Sequence, residues 1–177
     1  MKRLLLFSLL AAATLSACST YGPPYGPPPQ VVPPPETPFR AEDFTWSQAP
    51  GAAGVRGAVA FQAAAGPYTC AGASVALIPD TAYSRGRIIR LYGVADRAAV
   101  PVSVVRARQE GRAGEAYAAF VRTARCGAEG SFSFERLPPG SWFLVASAKP
   151  LAGKGDTMVL LRRVRTRPGQ QLQLVLQ

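Results

Sequence analysis

The chain has 177 residues, with 20 Lys+Arg against 10 Asp+Glu and 17 each of Gly and Pro, which suits one small globular domain joined to a Pro-rich segment. It contains no His, which excludes His-based triads, His proton shuttles and His-containing metal sites. Calcium or zinc sites would need ligand groupings that the sequence lacks, so no metal and no cofactor is expected.

The first elements are processing signals. Lys2 and Arg3 form a charged start, and residues 4–14 are an eleven-residue apolar run, too short to span a bilayer as a mature helix. Residues 1–17 therefore read as a secretory signal peptide. The next stretch, Leu15-Ser16-Ala17-Cys18, resembles the lipobox of bacterial lipoproteins, in which the Cys is acylated on its thiol and becomes the mature amino terminus. That resemblance implies a diacylglycerol thioether and an N-acyl chain on Cys18, a palmitate-type anchor that holds stably once two or more chains insert. Ser19 in the following position, where an Asp would retain the protein at the inner membrane, resembles lipoproteins passed to the outer membrane of Gram-negative cells. The implied location is the periplasmic side of the outer membrane.

Removing Lys2 and Arg3 with the leader leaves 18 basic against 10 acidic side chains, a net charge of +8 on the mature chain. In an exported protein this excess favours anionic partners, whether glycan, phospholipid or an envelope protein, rather than nucleic acid. Residues 18–38 then carry the lipidated Cys18 and a tether with nine prolines among residues 19–38, including Pro33-Pro34-Pro35. Proline fixes φ and lacks a donor, so this tether is expected to be extended at ~3 Å per residue, a reach of up to roughly 60 Å.

Residues 39–177 form the folded part, enough for one core. Its hydrophobic period is mostly two. Val55, Gly57, Val59 and Phe61 share one face, Val75 and Leu77 repeat the alternation, Phe132 and Phe134 alternate with serines, and Leu172, Leu174 and Leu176 alternate with Gln171, Gln173 and Val175. Residues 141–148 are apolar on both parities, which predicts a central strand buried on two sides. Residues 158–167 change parity around Arg162-Arg163, which predicts a bulge. Turn signals lie between these runs, and Pro138-Pro139-Gly140 reads as a tight antiparallel connection with Gly140 supplying positive φ. Short strands separated by such turns argue for an all-β antiparallel sandwich.

Three blocks carry a more specific likeness: Gly54-Val55-Arg56-Gly57-Ala58-Val59, then Cys70-Ala71-Gly72-Ala73-Ser74-Val75-Ala76-Leu77, then Gly130-Ser131-Phe132-Ser133-Phe134 running through Leu137-Pro138-Pro139-Gly140-Ser141-Trp142-Phe143. Together they resemble the carboxypeptidase regulatory-like domain. The resemblance implies a transthyretin-like (prealbumin-like) seven-stranded Greek-key sandwich and a noncatalytic, docking or carbohydrate-adjacent role. Two departures stand out: Gly127 replaces an Asp common three residues before the Gly of the last block, and residues 80–123 are longer than a simple member needs.

With Cys18 lipidated, Cys70 and Cys126 remain as a pair in an oxidising compartment, which predicts a disulfide at two strand ends. The long segment holds the candidate anion-binding residues Tyr83, Arg85, Arg87, Arg90 and Tyr92. A short helix over 84–92 places Arg87 and Arg90 on one face and Ile88 with Leu91 or Tyr92 on another, and guanidinium forks beside phenols suit phosphate or carboxylate. The alternative is a solvated basic turn packed onto the sandwich by its aromatics. Residues 110–115 read as a loop. Tyr117, Phe120, Val121 and Ala124 fit a helical stripe, though their position before residues 130–140 favours a strand. The expected function is a lipid-anchored binding or scaffolding module without enzyme activity. The alternative is a His-independent hydrolase using carboxylate and Tyr groups near residues 80–92.

Overall fold

The computed structural model describes residues 37–64, 66–109 and 114–177. The expected signal peptide, Cys18 and the expected Pro-rich tether up to residue 36 lie outside the described residues, as do residues 110–113 of the expected loop. The described chain starts with a 3-10 helix, Ala41–Gln48, and continues through β1 (Ala53–Val59), β2 (Gln62–Ala63), β3 (Gly66–Thr69) and β4 (Ser74–Pro79). The long segment then supplies α1 (Ala82–Tyr92), β5 (Arg97–Pro101), α2 (Val102–Ala107) and α3 (Glu115–Ala118). The final strands are β6 (Arg122–Arg125), β7 (Ser131–Leu137), β8 (Gly140–Pro150), β9 (Met158–Thr166) and β10 (Gln171–Leu176).

The strands form two sheets. The smaller has the order β10-β1-β7, and in the larger β8 is flanked by β4 and β9, with β6 beyond β4, β5 beyond β9, and the β2–β3 hairpin meeting the end of β8. Inward residues of both sheets interleave in one core: Val55, Phe132, Phe134, Leu137 and Leu176 from the small sheet face Val75, Leu77, Trp142, Leu144, Ala146, Leu160 and Val164 from the large one. This is the all-β sandwich that the alternation predicts, with ten short strands among the described residues rather than seven. The pairs are antiparallel apart from β1 with β10, which run parallel in the register Gly54↔Gln171 to Val59↔Leu176.

Strand β8 is buried on both faces, as its double-parity apolar pattern predicts. Trp142, Leu144 and Ala146 enter the main core, while Phe143 points the other way and joins Ile88 of α1 and Leu161 of β9 in a second cluster. α1 therefore covers the reverse of the large sheet and adds a third layer.

Two expectations are corrected. Residues 138–140 do not close a hairpin: β7 pairs with β1 and β8 pairs with β3, β4 and β9, so the chain changes sheet at this corner. The residue with positive φ at the corner is Arg136 (53°), not Gly140. Gly140 is required for another reason, because a Cβ there would collide with the Trp46 ring. The Thr166 hydroxyl fastens the corner by donating to the Pro138 carbonyl at 2.8 Å, and it accepts from Trp142 Nε1 at 3.2 Å. The second correction concerns β9, whose register against β8 is unbroken from Met158 to Thr166. The polar intrusion at Arg162 is absorbed without a bulge, since its guanidinium reaches past the core edge and donates to the Val175 carbonyl at 3.0 Å.

The 3-10 helix is tied down by aromatic packing. Trp46 stands edge-on to Trp142 with centroids 4.8 Å apart, Phe44 is fully buried, and Arg122 donates to the Ser47 carbonyl at 2.7 Å while lying 5.7 Å from the Trp142 ring centre. Burial lowers the Arg122 pKa, and Arg136 adds to that effect. The Cys70–Cys126 disulfide is present, joining the chain just after β3 to the chain just after β6 across 56 residues.

Candidate functional site: tyrosines around Arg87

α1 begins at a reciprocal cap. Ser84 N–H donates to Thr81 Oγ1 at 3.2 Å, and Thr81 N–H donates to Ser84 Oγ at 2.8 Å. Ser84 Oγ also donates to the Pro79 carbonyl at 2.5 Å, which holds the helix start against the end of β4. Gly93 at φ 85° closes the other end, donating its N–H to the Ile89 carbonyl. With Ser84 and Ile88 buried toward the sheet, helical geometry puts Tyr83, Arg87 and Arg90 on a neighbouring stripe three and four residues apart.

The five sequence-predicted residues divide. Arg85 turns away from the stripe and forms a fork on Asp80, with Nε at 3.0 Å and Nη2 at 2.8 Å from Oδ1. Asp80 has no side-chain exposure and accepts a second guanidinium, Arg163, on Oδ2. Asp80 is thus occupied as an internal anchor, which takes away the carboxylate nearest to a hydrolase reading of this segment.

Tyr83 packs at the mouth of an aromatic cluster. Its ring centre lies 5.4 Å from Phe39, 6.3 Å from Phe44 and 5.1 Å from Tyr117, all near perpendicular. Phe120 adds a further ring 5.2 Å from Phe44. Tyr92 packs beside Ile88, Phe143 and Leu161. Arg87 is half-buried. Burial raises the Tyr92 pKa, and Arg87 opposes that shift by favouring the phenolate. Burial also pushes the Tyr117 phenol from 10.0 up to about 12, opposed by Arg87 and reinforced by the phenols of Tyr83 and Tyr92. Arg87 thus bears on the Tyr92 and Tyr117 phenols, while Tyr83 meets Tyr117 ring to ring. Arg90 sits half-buried in the last turn, where its charge complements the helix dipole.

Tyr117 is the member that sequence reasoning missed. Position argued for a strand, whereas residues 115–118 form one helical turn and the strand starts at Arg122. The three-residue spacing of Tyr117 and Phe120 was the signal that pointed to a helix. Phe39 and Phe44 likewise became part of the site only through the 3-10 helix.

Chemically, the group offers one delocalised cation, phenols that donate or accept, and aromatic edges. It suits a compact anion carried on a partly apolar frame, such as a carboxylate on a sugar ring. Among the described residues no set of three His, Cys, Asp or Glu side chains could hold a metal ion, and no helix is long and apolar enough to cross a membrane.

No family model matches the chain, and no curated protein matches it. Among solved structures, the chain is similar to a protein of Pseudomonas aeruginosa described as a proposed carbohydrate-binding protein. The two share 19% identity with a TM-score of 0.60, over 80% of this chain and 98% of the other. At that identity the likeness establishes a common fold.

Proposed function

We propose that the chain is a lipid-anchored protein of the bacterial envelope, held by acylated Cys18 on the periplasmic side of the outer membrane. Its sandwich, of the carboxypeptidase regulatory-like kind, binds an anionic envelope component without catalysing a reaction. The observation that carries the binding role is the packing of Tyr83 against Tyr117, ring centres 5.1 Å apart, with the half-buried Arg87 one turn along α1 from Tyr83. The carbohydrate-binding description of the structural neighbour favours an acidic sugar as the ligand. The lipobox-like Leu15-Ser16-Ala17-Cys18 supports the anchor.

Two experiments test the parts separately. Metabolic labelling with palmitate is expected to mark the wild-type chain and to leave Cys18→Ser unmarked; an unmarked wild type removes the anchor. Titration of the full chain in detergent with glucuronate and with glycerol phosphate, followed by amide NMR, is expected to perturb residues 83–92 and 117. Arg87→Gln should weaken the better ligand by about tenfold, the scale of one lost charge-assisted hydrogen bond. Equal affinity in wild type and Arg87→Gln would remove this site.

A further inference from the structure

We infer that the outer face of the small sheet, on the side of the sandwich away from α1, is a second binding surface, shaped for an extended acidic oligosaccharide. The registers set its pattern. Gln173, Arg56 and Ser133 lie in one row across β10, β1 and β7, and Val175, Ala58 and Ser131 form the next. Alternation sends the intervening residues, Leu174, Gly57 and Phe132, inward, so the outer face carries amides, hydroxyls and a guanidinium with one exposed apolar side chain, Val175.

Two depressions of about 710 and 450 Å³ lie on this face, and both are bordered by Arg56 and Gly57. Gln173 and Arg162 line the first; Ser131, Ser133, Glu135 and Arg125 line the second. Arg56 therefore stands between the two depressions, which together make a shallow track across the face. Its neighbours along and across the strands are ~7 and ~5 Å away, spacings of the order of one pyranose unit. A flat lattice of amide and hydroxyl groups at that spacing matches a chain of ring hydroxyls.

Charge selects among such chains. Arg56, Arg125 and Arg162 border the track against Glu135 alone. The Arg56–Glu135 pair is long at 3.9 Å and both partners are about two-thirds exposed, so it holds Arg56 weakly and a ligand carboxylate can replace it. Few apolar groups are present, so binding rests on hydrogen bonds and screened charge and should weaken as salt rises.

The probe is a galacturonate oligosaccharide, titrated against the full chain in detergent with amide NMR as the readout. Shifts are expected on β1, β7 and β10 around Arg56, Gln173 and Ser133, with affinity falling as salt is added. Arg56→Gln should weaken binding by about tenfold, and Ser133→Ala with Gln173→Ala should do so at an unchanged melting temperature, since all three side chains are exposed. Arg87→Gln should leave the shifts on β1, β7 and β10 and the affinity read from them unaltered, so the α1 site and this one fail separately. The inference is overturned if shifts fall on α1 with none on the small sheet, if a neutral glucose oligosaccharide shifts the small sheet equally well, or if neither variant changes the affinity read there.

Discussion

Arg163 reaches Asp80 across 83 residues of sequence, its Nε donating to Oδ2 at 2.6 Å, and so binds the start of α1 to β9. The carboxylate is fully enclosed while the two guanidiniums on it remain partly in water. Removing Arg163 leaves the buried Oδ2 without its partner and also cuts the tie to β9, whereas removing Arg85 leaves Oδ1 without its partner but deletes a contact only five residues away in sequence.

Arg163→Ala and Arg85→Ala are therefore each expected to cost about 1–3 kcal/mol, with Arg163→Ala the costlier because it also unties the start of α1 from β9. Urea denaturation of the single and double variants measures both costs and their coupling. Equal costs would refute the difference in roles.

The Gly140 corner makes a second prediction. Gly140→Ala drives a methyl into the Trp46 ring and is expected to destabilise by about 1–3 kcal/mol through overpacking. Adding Trp46→Ala should recover part of that loss, because the obstacle is gone, although Trp46→Ala alone is itself destabilising. Equilibrium unfolding followed by the fluorescence of Trp142 reports both, and purely additive costs would contradict the contact.

The disulfide makes a third. Closing a loop of 56 residues between Cys70 and Cys126 contributes about 4 kcal/mol in the chain-entropy account. Cys70→Ser, Cys126→Ser and the double variant should all lose stability on that scale, and a thiol reductant should affect only the wild type. A reductant-insensitive melting temperature in the wild type would argue against the bond.

Alkaline pH makes a fourth. The Tyr117 phenol is raised from 10.0 to about 12 in the folded chain, so between those values the folded state holds a proton that the unfolded state releases. Its contribution is complete below pH 10 and is lost as pH rises through about 12, giving stability that falls with pH in that window. Tyr92, shifted in the same direction by burial, adds to the trend. Urea midpoints measured across this window should decline more steeply for wild type than for Tyr117→Phe. Parallel declines would place the Tyr117 phenol in water.

Much of this architecture is legible in the chain because side chains alternate across a sheet. β1, β7 and β10 show one apolar parity, and β8 shows two because α1 covers its reverse. Pairing partners are not written in that alternation: nothing in residues 54–59 or 171–176 distinguishes a parallel neighbour from an antiparallel one, and Pro138-Pro139-Gly140 has the same chemistry whether it closes a hairpin or crosses between sheets. At the candidate site, the sequence supplied the basic, Tyr-bearing helix, but which guanidinium stays with the tyrosines depended on Asp80. A buried carboxylate captured Arg85, while Arg87, two residues on, shares the helix stripe of Tyr83. The outer track of the small sheet was hidden for a similar reason, since Arg56 and Gln173 are 117 positions apart and meet only through the parallel register.

That register has a mechanical side. β1 lies in the middle of its sheet, bonded along most of its length to β7 on one edge and β10 on the other, and it follows closely on the segment pinned by Phe44 and Trp46. A pull along the axis of β1 runs crosswise to the hydrogen bonds of both ladders. The bonds then share the load in shear and must give way together instead of peeling one by one, a strand placement that resists extraction.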